Sequence, residues 1–228
     1  YVSADISADG TTVVVSTNMP MINPDTNGLG ADAIVLAADG GRSYGALSSA
    51  PGNAQPGGNP NTFGPIFVSE DGNLVTYMTR ANNLYVGGMG SLSPGESNVF
   101  QYDRAARVMT APSINFNNQF VTGGGLGFNA FPSWTTHNGR YVAYNSFGFQ
   151  VVPGVDNGCG HVYLRDQLTA TTTRLSVLDN GATMGCGLQQ NAAGGGTVSA
   201  DGLVVAFSTR VQLPAGTLGP FDNVFTRN

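Results

Sequence analysis

The stretch Tyr141 to Asp166 reads YVAYNSFGFQVVPGVDNGCGHVYLRD and places a thiol, Cys159, two residues from an imidazole, His161. The whole chain holds only two cysteines and two histidines, so the pair is the first place to look for chemistry. A thiol beside an imidazole can form a nucleophile–base pair or part of a metal site. Neither reading completes itself here. Cys159, Cys186 and His161 supply only three metal ligands, and their spacing is not that of a zinc site. No G-x-S-x-G elbow is present, and neither His161 nor His137 has a motif-supported nucleophile. Cys159 and Cys186 lie 27 positions apart. A disulfide between them would contribute roughly 3–4 kcal/mol by chain entropy. Two free buried thiols are the competing reading.

Oxygen ligands offer a second chemistry. The segment NPDTNGLGAD presents Asp25, Asn27 and Asp32 around glycines, an arrangement that can wrap calcium. The terminal bidentate glutamate of a full calcium loop is missing, and Asp and Asn also cap turns by accepting backbone N–H bonds. Calcium is the one cofactor this loop suggests. Glycosidase chemistry needs two carboxylates across a cleft. Here the carboxylates recur in register instead: Asp9, Asp71 and Asp201 in one phrase, and Asp39, Asp103 and Asp166 in another. Recurrence points to scaffold, so no catalytic residue is assigned and this segment alone is not expected to be an enzyme.

The elements that would position these groups follow from the recurrence. ISADG at Ile6–Gly10 returns as VSEDG, TTHNG and VSADG, with glycines at 10, 72, 139 and 202. Each phrase precedes an alternating apolar run: TTVVVST, NLVTYMT, RYVAYNS and LVVAFST. A second strand follows a longer loop (DAIVLAAD, NVFQYD, HVYLRD, DNVFTRN), and the first three units add a third (RSYGALS, RVMTAPSI, TTRLSVL). With the short segment before each turn, the unit has four strands, A to D. Asp-Gly and Asn-Gly suit tight antiparallel turns, and no helical period competes. The approximate units are 1–50, 64–114, 130–179 and 195–228, the last without its fourth strand. Repeated four-stranded antiparallel units predict an all-β fold, a β-propeller of about 3.75 blades that forms part of a larger one. His161 then falls where the other units have Asp32, Asn98 and Asn223, a polar loop–strand junction. His137 falls in a turn.

In such a meander the A–B and C–D turns share one face, and the B–C and D–A loops share the other. The second pair is long, so that face is the candidate working surface. Aromatic residues crowd the second and third units there. Phe120, Phe128, Trp134, Phe147 and Phe149 are the candidate ligand contacts for a sugar or peptide, with packing between blades as the alternative.

Composition narrows the partners. The net charge is −5, there is no lysine, and the nine basic residues, all arginine, form no cluster. Nucleic acid is therefore excluded as a partner. No apolar run is long enough to span a bilayer. Few charges with many Gly, Asn, Ser and Thr residues suit an extracellular protein.

The phrases SADGLVVAFSTRVQLPAG and DNGCGHVYLRDQLTATTTRLS resemble the TolB-like, or WD40-like, β-propeller repeats of bacterial secreted and periplasmic proteins. The resemblance covers nearly the whole chain. It implies a propeller that is secreted, periplasmic or at the cell surface. The expected function is non-catalytic: binding a protein partner, or self-assembly, through the long loops. The alternative is the propeller portion of a larger secreted enzyme or of a glycan-binding protein.

Overall fold

The computed structural model describes residues 3–22, 30–45, 64–81, 83–84, 96–122, 130–154, 159–177, 181–183, 194–209 and 223–227. They contain fifteen strands and no helix. The first sheet runs β1 (Ser3–Ile6), β2 (Thr12–Thr17), β3 (Asp32–Ala37) and β4 (Arg42–Tyr44). The second runs β5 (Phe67–Val68), β6 (Leu74–Thr79), β7 (Asn98–Asp103) and β8 (Val108–Thr110). The third is β9 (Ala130–Thr135), β10 (Tyr141–Ser146), β11 (His161–Asp166) and β12 (Thr171–Arg174). The fourth holds β13 (Gly194–Val198), β14 (Val205–Thr209) and β15 (Asn223–Arg227). Every pairing is between neighbours in sequence and antiparallel, so each sheet is a meander, as the repeat predicts.

The burial of each strand reports its depth in the stack. β6, β7 and β10 are buried at five of their six positions, on both faces. A strand in an isolated sheet would expose alternate residues; here neighbouring sheets cover both sides. The first strands β1, β5, β9 and β13 approach one another in series, which makes them the inner strands. The last strands β4, β8 and β12 are the exposed outer ones. β15 has no sheet stacked beyond it among the described residues, and Val224 is 75% exposed there.

Three apolar cores fill the spaces between sheets. Val14, Val35, Val75, Tyr77 and Phe100 join the first and second sheets. Val99, Val121, Val142, Tyr144 and Tyr163 join the second and third. Ala143, Val162, Val198, Val205 and Phe207 join the third and fourth. Burying a side chain of this size contributes about 1.5–3 kcal/mol, which holds neighbouring blades together.

Two strands depart from simple sequence patterns. β9 includes Pro132 and shifts register opposite Ala143 and Tyr144. β13 is rich in glycine and shifts register between Gly194 and Gly196. Both are innermost and hydrogen-bonded on one side only, where a bulge or a missing donor is tolerated.

Candidate functional site

The four A–B turns are the same device built four times. In the first, the Ser7 hydroxyl donates to Asp9 Oδ1 (2.7 Å), which also accepts the Thr11 N–H (2.9 Å). Ser7 Oγ in turn accepts the Thr12 N–H (3.0 Å), and the Gly10 N–H closes the turn on the Ser7 carbonyl (2.9 Å). Ser69, Asp71, Asn73 and Leu74 repeat the pattern, as do Ser199, Asp201, Leu203 and Val204. Thr136 and Asn138 do so in the third blade without a charge. The donated bonds hold all three aspartates below the ordinary carboxylate range, led by the Thr11 amide for Asp9 and by the serine hydroxyls for Asp71 and Asp201. These recurring carboxylates therefore serve as turn caps.

The turn glycines serve a second purpose. Gly72, φ +73°, faces Thr12 of the preceding blade so closely that a Cβ would lie 2.9 Å from the Thr12 Cβ. Gly139 meets Leu74 and Gly202 meets Tyr141 in the same manner. The turns are also bonded to one another: Ala8 N–H to the Glu70 carbonyl (3.0 Å), and Glu70 N–H to the His137 carbonyl (2.7 Å). Each C–D turn ties back to its own A–B turn through Ala38 to Thr11, Arg104 to Asn73 and Gln167 to Arg140. Asp103 caps the second C–D turn through the Ala106 N–H (2.8 Å). Asp166 caps the third and receives a bidentate bridge from Arg140 at 3.0 and 2.7 Å.

His161 is buried at 3% exposure and its Nδ1 lies 2.8 Å from Ser176 Oγ. Asn98 occupies the same place in the second blade, where its Oδ1 accepts from Ser113 Oγ at 3.0 Å. Both serines also accept the next backbone N–H of the strand, from Val162 and Val99. Burial, and then the charge of Arg174, pushes His161 down to about 4, so it is neutral at pH 7. A neutral imidazole locked into this repeated pair is a junction residue, in keeping with its place in the repeat. His137 is exposed and enters the turn network through its carbonyl.

The expected ligand contacts separate. Phe120 is buried and packs on Phe100 at 5.8 Å between ring centres. Phe147 is half-buried against Gly160. Phe149 is 41% exposed on the long-loop face, where it is joined by Phe116, 48% exposed. Two backbone bonds link their loops across blades, Phe149 N–H to Thr122 O (2.9 Å) and Phe116 N–H to Gln150 O (3.2 Å). Trp134 is elsewhere. It stands on inner strand β9 beside the short turn, its ring 5.7 Å from Phe67. Phe128 lies outside the described residues.

Trp134 lines a cleft of about 320 Å³ between β1, β5 and β9, together with Asp5, Glu70, Thr135 and His137. Sequence reading misses this cleft because its walls come from three repeats. Of the proposed calcium ligands, Asp25 and Asn27 lie outside the described residues, and Asp32 is buried at the start of β3. Among the described residues, no group of three or more His, Cys, Asp and Glu is placed to hold a metal. Cys159 is buried in the core between the third and fourth blades, and Cys186 lies outside the described residues.

Comparison with solved structures decides the architecture. The β-propeller domain of the Trilobed protease from Pyrococcus furiosus matches 98% of this chain with a TM-score of 0.52 at 8% identity. The fold is a β-propeller. A prolyl endopeptidase matches 99% of the chain with a TM-score of 0.53 at 13% identity. TolB from Acinetobacter baumannii matches 99% at 12% identity, with a TM-score of 0.49. The chain spans 53%, 28% and 40% of the length of those three chains. No protein-family model and no curated protein matches.

Proposed function

We propose that this propeller segment is a non-catalytic interaction module, working in a secreted, periplasmic or cell-surface setting, that engages a protein partner through its long-loop face. The observation that carries the reading is the exposed pair Phe116 and Phe149. Two backbone hydrogen bonds between successive blades fix the loops that bear them. Large aromatic side chains on ordered loops supply contact area at low entropic cost, as interface anchors do. A Cys159–Cys186 disulfide would staple the same face, and calcium at Asp25, Asn27 and Asp32 would brace its first loop. That no described cysteine is a free thiol supports the staple.

Photo-crosslinking in the producing cells tests the reading. A benzoyl-phenylalanine replacing Phe149 is expected to yield a discrete protein adduct. The same group replacing Leu168, 75% exposed on the short-turn face, is expected to yield none. Adducts at Leu168 and none at Phe149 would place the working face on the other side. The second reading, a propeller that serves a larger secreted enzyme, is favoured by the likeness to prolyl endopeptidases. It predicts an adduct at Phe149 within the same polypeptide.

A further inference from the structure

The short-turn end of the inner strands holds groups that the turn network does not use. We propose that the cleft between β1, β5 and β9 binds a cationic side chain, an arginine guanidinium or lysine ammonium presented by a peptide. Two carboxylate residues line it, and no arginine among the described residues does; the chain has no lysine to fill it from within. Asp5 is fixed at the wall, its Oδ2 accepting the Val68 N–H and its Oδ1 the Ile6 N–H, each at 2.9 Å. Glu70 is placed by its backbone, which bonds both neighbouring turns, while its carboxylate accepts no hydrogen bond from the described residues.

A further group points to a ligand. Trp134 is 36% exposed and meets Phe67 edge-on, which leaves indole surface open. A cation over an indole is attracted by the ring quadrupole. The cleft's volume, about 320 Å³, suits a side chain or small head group.

Other ligand classes fit less well. A sugar is recognised by neutral donors as well as acceptors, whereas the two charged side chains of the described lining are both carboxylates, which favour a cation. A hard metal ion seeks six or more oxygens, whereas the described lining supplies only two carboxylates.

Trp134 is the only tryptophan, so its emission reports the cleft directly. An acetylated, amidated tri-arginine peptide, its tri-citrulline counterpart and agmatine are titrated at low salt and pH 8. The arginine peptide is expected to give a saturable change and the neutral citrulline peptide none. Glu70→Gln is expected to weaken binding about tenfold, equivalent to about 1.4 kcal/mol, with an unchanged far-ultraviolet spectrum. Agmatine is expected to bind more weakly than the peptide. No saturation, an equal response to citrulline, or unchanged affinity in Glu70→Gln would overturn the proposal. Agmatine binding as tightly as the peptide would overturn the assignment to a peptide-borne side chain.

Discussion

The two rims of this propeller are built by opposite strategies. On the short-turn rim one hydrogen-bond pattern recurs in four blades, and three turn glycines press on the preceding blade in the same way. On the long-loop rim the contacts are individual: the loops bearing Phe116 and Phe149 bond to each other, and no other described pair of loops repeats that contact. Repetition marks what every blade needs in order to stack. Departure from it marks what a single blade contributes beyond stacking.

The comparison can be broken most sharply at the turn glycines. Gly10 and Gly72 have nearly the same backbone, φ +71° and +73°, but nothing lies within 4 Å of a Cβ at Gly10. Gly10→Ala is expected to cost about 1 kcal/mol, from backbone strain alone. Gly72→Ala adds overpacking against Thr12 and is expected to cost about 2–4 kcal/mol. Equal shifts in denaturant midpoint would show that the glycines serve the turn and not the junction.

A smaller effect is expected at His161 on the other rim. Its native value of about 4 lies below the unfolded value of 6.5, so on acidification the unfolded chain takes up a proton before the native one does. Stability is expected to fall between about pH 6.5 and pH 4 by up to about 3 kcal/mol and to level off below. His161→Asn, which copies Asn98, is expected to remove that fall while leaving the neutral-pH melting temperature close to wild type. Urea titrations at several pH values check this, and an unchanged slope in the variant would exclude His161 as its source. The smallest effect is expected at Asp71. Asp71→Asn copies Asn138 and is expected to be nearly neutral, whereas Asp71→Ala loses the Ser69 and Asn73 bonds and about 1 kcal/mol.

Local chemistry explains which of these features sequence reading reaches. The turn phrases and the B and C strands are legible because their hydrogen bonds and β-branched runs lie within a few residues of one another. β9 and β13 are less so, since Pro132 and the glycines of 194–196 argue against strand and only pairing with β10 and β14 overrides them. Trp134 illustrates the limit. Its place near loop aromatics in the sequence suggests the long-loop face, yet strand direction carries it to the opposite end, beside Asp5 and Glu70 from other repeats. No local pattern encodes that meeting. The partnership of His161 with Ser176, by contrast, has a readable signal: Asn98 and Ser113 have the same separation of 15 residues.

The bonded turns also have a mechanical meaning. The links from Ala8 to Glu70 and from Glu70 to His137 run around the axis like a hoop, while those from Ala38 to Thr11, Arg104 to Asn73 and Gln167 to Arg140 run outward like spokes. A pull applied near the centre of this rim is shared among three blades before any sheet begins to unzip. The short-turn rim is thus the stiff hub of a wheel, from which the opposite rim can vary its loops without loosening the frame.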